Sequence, residues 1–436
     1  MSAHAPLPPG PRMPAAWQLA RYQLAPLAFM EACAARFGSV FTLRLLGLGD
    51  VVVATEPADL RTVLVSAPRR FPAPRSVRVF EPIMGPSALM FSTVEQHERQ
   101  RRLLQPGFQR GLVERWRERV VAIVEAELAA LPLGEPVALR EPMRRIALEV
   151  LLQLAFGIDE PAMRARLRAA VGSGLGAEVA LMSCFPTLWR RDGRLNPGRA
   201  IKRRRDAIHR TLLQHLAARR ADPRLAERDD ALSRLVAARD ASGDRLDDAE
   251  LRDQLVGLLL AGHDTTAAAL AWAAERISRS PHAQARLARA LAVGDAAYLD
   301  AAVRETLRTR PSVVDVPRTT VAEIELGGHP IPAGTMVNAM IAVTQRRADL
   351  WDRPLEFRPE RFLDGRPVPY AFAPFGGGSR RCVGTALALL QLQVVLATLV
   401  RRFAVLPGSA REEHARLAGL ALVPARGARV ILVRRR

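Results

Sequence analysis

The 436-residue chain is short of several residue types, and each shortage excludes something. Its three cysteines, Cys33, Cys184 and Cys382, are too few and too scattered for a disulfide framework or a zinc finger. Cys33 and Cys184 are expected as small core residues of a reducing compartment. Lys202 is the only lysine, so the formal net charge of +20 is almost all arginine. Aromatic residues make up 5% of the chain and are not interleaved with the basic ones. Basic runs occur only at 202–205 and 434–436, with no helix-turn-helix or finger pattern, which argues against nucleic acid. A basic surface suits an acidic protein partner instead. No uninterrupted apolar run reaches the roughly 18 residues of a membrane span. The best stretch, Ala386–Val400, is broken by Gln391 and Gln393 and reads as a buried helix. The N-terminus has no charged-then-apolar leader pattern, so a cytoplasmic protein is expected.

What the chain does have is helical periodicity. Ala, Leu, Arg and Glu recur at three- and four-residue spacing from about residue 95 to 310. Within that stretch one long helix should run from near Asp247 to the stop at Pro281, roughly 50 Å at 1.5 Å per residue. Strand-like sequence lies at the two ends: Phe41–Leu45, Val51–Ala54, Val313–Val316, Ile324–Leu326, Val337–Ala342 and Val430–Val433. Further helices are expected over Ala25–Arg36 and from about Thr385 to Arg402. No repeat or flexible linker interrupts the chain. The expectation is one domain over 1–436, mainly α with a minor β-rich part, led by a proline-rich segment within 1–20.

One stretch carries chemistry. Residues 375–384 read FGGGSRRCVG and hold the pattern Phe375-x-x-Gly378-x-Arg380-x-Cys382-x-Gly384. A cysteine binds a metal as its thiolate, and N–H groups of a glycine-rich turn stabilise that charge. The apolar helix that begins just after Cys382 adds the positive end of its dipole. Gly378 and Gly384 would let backbone approach a flat macrocycle, Phe375 could lie beside the sulfur, and Arg380 could pair with a carboxylate.

This stretch resembles the cysteine loop of the cytochrome P-450 superfamily of haem-thiolate monooxygenases. The resemblance implies Cys382 as axial ligand of a haem b iron, a long central helix over the haem and the cysteine loop beneath it. Other family motifs follow in order. Ala261-Gly262-His263-Asp264-Thr265-Thr266, midway along the long helix, matches the distal segment. There Ala261 and Gly262 would lie against the haem, Gly262 and Thr265 would open the helix locally, and Asp264 with Thr265 would relay protons. His263 reads as a variable position of that motif. Glu305, Arg308 and Arg361 match the ion-paired set that holds the cysteine loop. His97 and Arg101, spaced His-x-x-x-Arg, and Arg318 match haem-propionate partners. By the same correspondence the substrate pocket draws on Phe71–Phe91, Ala170–Trp189, Leu260, Val314, Val316 and the turn near Leu420. Arg75 and Arg78 read as solvated charges more readily than as carboxylate receptors.

The implied activity is insertion of one oxygen atom from O2 into a hydrophobic substrate such as a fatty acid, terpene or steroid-like molecule. The likeness is strongest to bacterial members without a membrane anchor. NAD(P)H electrons would arrive through a separate ferredoxin or flavodoxin docked near Arg380 and Arg381, because 436 residues leave no room for a fused reductase. Peroxide-using peroxygenases and isomerases share the fold but typically lack the acid–alcohol pair. A non-catalytic haem-binding sensor would leave Asp264 and Thr265 without a task.

Overall fold

The computed structural model describes residues 6–65, 75–172, 198–240 and 242–435. Its principal helices are α1 (Ala15–Leu24), α2 (Pro26–Phe37), α3 (Pro57–Val65), α4 (Val94–Leu104), α5 (Arg117–Ala129), α6 (Arg140–Val150), α7 (Gly198–Arg220), α8 (Asp248–Ser278), α9 (Ala296–Thr309) and α10 (Thr385–Arg402). Strands β1 (Val40–Leu45), β2 (Gly49–Ala54), β3 (Pro136–Ala138), β4 (Val316–Thr319), β5 (Ile324–Leu326), β6 (His329–Ile331), β7 (Met336–Ala339), β8 (Phe403–Pro407), β9 (Ala415–Ala418), β10 (Ala421–Pro424) and β11 (Arg429–Arg434) form small sheets. Helix therefore dominates and the β part is minor, as the periodicity predicts. The chain resolves into two compact units. The first holds Met1–Pro72, Arg117–Ile146 and Thr265–Arg436; the second holds Ala73–Trp116 and Ala147–Asp264.

In the first unit the largest sheet has the order β1-β2-β7-β4, parallel only between β2 and β7. Val51, Val52, Val53 and Ala54 on β2 are all fully buried, as expected for an inner strand covered on both faces. Val52 and Ala54 pack with Leu60 and Leu64 of α3 on one face, Val51 and Val53 with Phe29 and Met30 of α2 on the other. The proline lead is tied down by Gln18, which is fully buried. Its Nε2 donates to Pro11 O and Met13 O at 3.0 and 2.8 Å, and its Oε1 accepts from Arg44 N of β1 at 2.9 Å. Helix α1, which starts directly after Pro14, is not predicted from the sequence.

Two boundaries differ from expectation. Strand β4 begins at Val316, not Val313, because Pro311 and the buried Val314 belong to the turn after α9. The predicted strand 337–342 stops at Ala339, and Ile341–Thr344 form a helical turn whose Thr344 Oγ1 donates to Met340 O at 3.1 Å. Helix α10 covers Thr385–Arg402 as expected.

In the second unit, buried Asp253 and Gln254 of α8 pin the segment before α4. Asp253 Oδ2 accepts from Ser87 N at 3.0 Å, and Gln254 Oε1 accepts from Leu89 N at 3.0 Å. Gly85 is needed there: its φ is +87°, and an added Cβ would lie 2.2 Å from the Asp253 carboxylate. Helix α8 is continuous over 31 residues and carries Gly262 and Thr265 in its middle. Helices α8 and α10 are long and apolar enough to cross a membrane, but 61% of each apolar window is buried inside the protein, as in a core helix.

Candidate active site

Cys382 closes the glycine loop ahead of α10. Its backbone N donates to Phe375 O at 3.0 Å, and Thr385 Oγ1 donates to its carbonyl at 2.8 Å. These two bonds hold the residue between the loop and the first turn of the helix. The thiol is exposed, and the nearest atom to an added Cβ on Gly384 is Cys382 Sγ itself, at 4.0 Å. No acid occupies the first turn of α10, so the helix dipole favours the thiolate unopposed by a local carboxylate. Phe375 is half-buried in the same loop. Cys33, by contrast, is buried against Phe29 and Met30, and burial pushes its thiol up to about 11. Cys184 lies outside the described residues.

Gly378 has a requirement of its own. Its φ is +62°, and a Cβ there would sit 2.4 Å from Leu64 O of α3. The missing side chain thus serves close packing on α3 within the first unit.

Behind the loop, Glu305 and Arg308 of α9 are fully buried. Arg308 donates from Nε to Glu305 Oε2 at 2.7 Å and from Nη2 to Oε1 at 2.8 Å. Arg361 Nε adds a bond to Oε1 at 3.0 Å, and Arg358 N another at 2.9 Å. Burial pulls the Arg308 guanidinium down, and Glu305 opposes that shift. The link from this set to the loop runs through Gln345, a residue that sequence reasoning misses. Arg308 Nη1 donates to Gln345 O at 2.8 Å, Gln345 Nε2 donates to Leu307 O at 2.9 Å, and Gln345 Oε1 accepts from Ala373 N at 3.1 Å. Ala373 O in turn accepts from Gly376 N at 2.9 Å. A lone buried Gln carries no motif that would expose it beforehand.

Arg318, on β4, is 9% exposed and donates from Nη1 to Pro317 O at 2.9 Å. Among the described residues no carboxylate pairs with it. Burial, aided by the nearby Arg380 cation, lowers it to about 10. Burial also lowers Arg380, which is half-buried. A buried cation that no described carboxylate neutralises, as Arg318 is, is a poor arrangement unless an anion joins it.

In the second unit, α4 starts from a capping box between Thr93 and Gln96, which fixes the register of His97 and Arg101 one turn apart on one face. His97 is 3% exposed and Arg101 half-buried. On α8, Leu258, Ala261 and Thr265 are partly open and spaced three and four residues apart, so they share a stripe of the helix; Asp264, also partly open, is three residues from Ala261 and borders that stripe. An added Cβ at Gly262 would meet Leu151 Cδ2 at 3.7 Å, where α6 ends in a π-helical turn, Leu151–Ala155. Leu260 packs against Met84, Ala88 and Phe91. Of the other expected pocket residues, Val314 is a core residue against Trp272 and Leu422, and Val316 packs at the edge of the sheet core. Leu420, in the turn between β9 and β10, is exposed. Arg78 is exposed and pairs with Glu81 at 2.8 Å, in keeping with a solvated charge. Residues 71–74 and 173–189, and the Arg75 side chain, lie outside what is described.

The donor set suits a haem. Among the described residues no group of three or more His, Cys, Asp or Glu gathers as a ligand set. A single thiolate, together with a buried Arg318 that no described carboxylate neutralises, fits an iron that brings its own macrocycle and acidic side groups.

Comparison with known proteins decides the family. A family model described as cytochrome P450 matches residues 6–431. This chain belongs to the cytochrome P450 family. Among curated P450s it is 37% identical to cytochrome P450 135B1 of Mycobacterium tuberculosis, over 97% of this chain and 91% of that one. It is 32% identical to cytochrome P450 135A1 of the same organism, over 99% and 96%. Among solved structures it resembles cyanobacterial CYP120A1 bound to retinoic acid, with a TM-score of 0.84, 26% identity and coverage of 99% and 100%. The P450 fold is thus shown for essentially the whole chain, and with it a haem-iron oxidoreductase of the haem-thiolate class.

Proposed function

We propose that the protein is a monooxygenase that inserts one oxygen atom from O2 into a hydrophobic substrate, with Cys382 as the thiolate ligand of its haem. The observation that carries this reading is the Cys382 loop: an exposed thiol at a helix N-terminus, braced through Gln345 by a fully buried Glu305–Arg308 pair. When bound, the haem supplies the activation of O2 and its transfer to carbon. The chain's own residues do the rest. Arg318 and Arg380, with His97 and Arg101, would hold the haem carboxylates, and Arg318 would gain the counter-charge that no described carboxylate supplies. Ala261 and Gly262, being small, would leave room for the haem, as the family motif implies. Asp264 takes protons from water at its carboxyl, and Thr265 passes them on at its hydroxyl.

Substrate is fatty acid, terpene or steroid-like on this reading. The retinoic acid of the solved relative, an isoprenoid acid, agrees with that class. Leu260 beside Met84 and Phe91 supplies an apolar wall. Electrons come from NAD(P)H through a separate ferredoxin or flavodoxin that docks by its acidic face at exposed Arg381 and its neighbours in the cytoplasm. The test is product formation with NAD(P)H and a redox-partner pair, using a substrate found by spin-state titration. Thr265→Ala should divert electrons from product to peroxide. Full product yield from hydrogen peroxide alone, undiminished in Thr265→Ala, would instead indicate a peroxygenase.

A further inference from the structure

His263 lies inside the distal segment of α8, yet none of the roles above uses it. It is 2% exposed. Its Nδ1 is 2.6 Å from Leu259 O, one turn back, and its Nε2 is 3.2 Å from Asp264 Oδ1. Neighbours in a helix point about 100° apart and do not ordinarily face each other. The 3.2 Å contact therefore means that the Asp264 carboxyl is folded over the ring of the residue before it.

Both partners of the ring are oxygens. A carbonyl can only accept, so Nδ1 carries a hydrogen toward Leu259 O. If that were the ring's only hydrogen and Asp264 were ionised, an imidazole lone pair would face a carboxylate oxygen at 3.2 Å, which is unfavourable. One further proton between Nε2 and Oδ1 would turn that contact into an attractive one. It sits either on the ring, giving imidazolium beside carboxylate, or on Asp264, giving a carboxylic acid beside neutral imidazole.

We propose that His263 and Asp264 form a pair that stores one exchangeable proton, His263 being the positioning residue that reloads Asp264. This rests on the reading of Asp264 as the relay acid. The balance is simple: Asp264 releases a proton from Oδ1, the proton on Nε2 crosses to replace it, and water refills the pair at the carboxyl. The carboxyl side chain is 34% exposed while the ring is almost sealed, so the proton of His263 enters and leaves through Asp264. No oxidant or other reactant takes part.

The test uses the haem-loaded full chain in its reduced, carbon-monoxide-bound and diamagnetic form, labelled with 15N-histidine. The ring of His263 is assigned as the signals lost in His263→Gln. The expected result is either two protonated ring nitrogens, or protonation at Nδ1 alone together with a carboxylic-acid C=O infrared band that vanishes in Asp264→Asn. A ring protonated on one nitrogen with no such band overturns the shared proton. Kinetics supply the second readout. Glutamine can hydrogen-bond but cannot carry the extra proton, so His263→Gln should lower kcat, by up to about the 10²-fold at the low end of proton-transfer catalysis, with KM and the substrate-induced spin shift unchanged. Wild-type kcat in His263→Gln would reduce His263 to a hydrogen-bonding role and overturn the proposal. Failure of the underlying relay reads out separately, as unchanged coupling of electrons to product in Asp264→Asn.

Discussion

Replacing Glu305 by glutamine should be far more damaging than one lost charge suggests. The carboxylate is fully buried and accepts from Arg308 Nε and Nη2, Arg361 Nε and Arg358 N at 2.7 to 3.0 Å. In Glu305→Gln the shape survives, but an amide NH2 faces guanidinium donors, and two buried arginines lose their counter-charge. Removing one partner of a buried ion pair costs about 3–5 kcal/mol, against a total stability of about 5–15 kcal/mol. The control lies on the same helix: Asp300 pairs with Arg304 at 2.7 Å, but the side chains are 36% and 47% exposed. Asp300→Asn should therefore cost less than about 1 kcal/mol. Urea unfolding followed by circular dichroism gives both numbers. Because Arg308 reaches the cysteine loop through Gln345 and Ala373, Glu305→Gln should also lower the fraction of protein with the thiolate-type carbon-monoxide spectrum. If Glu305→Gln lies within about 1 kcal/mol of wild type, like the exposed control, the reasoning about this buried set fails.

Three further outcomes follow from the geometry. Gly378→Ala should destabilise by about 2–4 kcal/mol in the same assay, since it combines a left-handed backbone with a Cβ pressed against Leu64 O. Arg318→Leu should leave the haem-free protein as stable as wild type or more so, because a buried cation with no carboxylate beside it is removed, yet it should speed haem transfer to a scavenger such as apomyoglobin. Asp315 should make stability depend on pH. Burial raises its carboxyl from 3.8 to about 6, although Tyr22 Oη and Asn338 Nδ2 both donate to it. The folded state therefore holds this proton more tightly than the unfolded chain. The resulting stabilisation is complete below about pH 4 and is lost as pH rises through about 6; its size is at most about 3 kcal/mol. Asp315→Asn should remove that component, seen as a gain in stability over wild type that grows between about pH 4 and 7.

The chemistry of this protein is concentrated in short segments whose residue types leave little freedom, which is why they are legible in the sequence. The glycine-rich loop 375–384 singles out Cys382 as the proposed thiolate ligand, and the periodicity of 248–278 and 385–402 announces two long helices. Glu305, Arg308 and Arg361 come together as the motif implies, because a buried carboxylate needs more than one donor. What stays hidden depends on tertiary contact. Gln345 is an ordinary residue until its amide bridges α9 and the loop, and Gly378 owes its identity to the backbone of α3. His263 looks like a variable position because nothing in its spacing shows that Asp264 folds back on it. Val314 fits a pocket or a core equally well by composition, and only packing against Trp272 and Leu422 places it in the core.

The most direct test of the central claim is the absorption spectrum of the reduced, carbon-monoxide-bound protein, taken for wild type and for Cys382→Ser and Cys382→His. Wild type should show the red-shifted Soret band of a thiolate-ligated haem, and both variants should lose it while retaining the helical content of the fold. A thiolate-type band that survives either substitution would contradict the assignment of Cys382 and the account built on it.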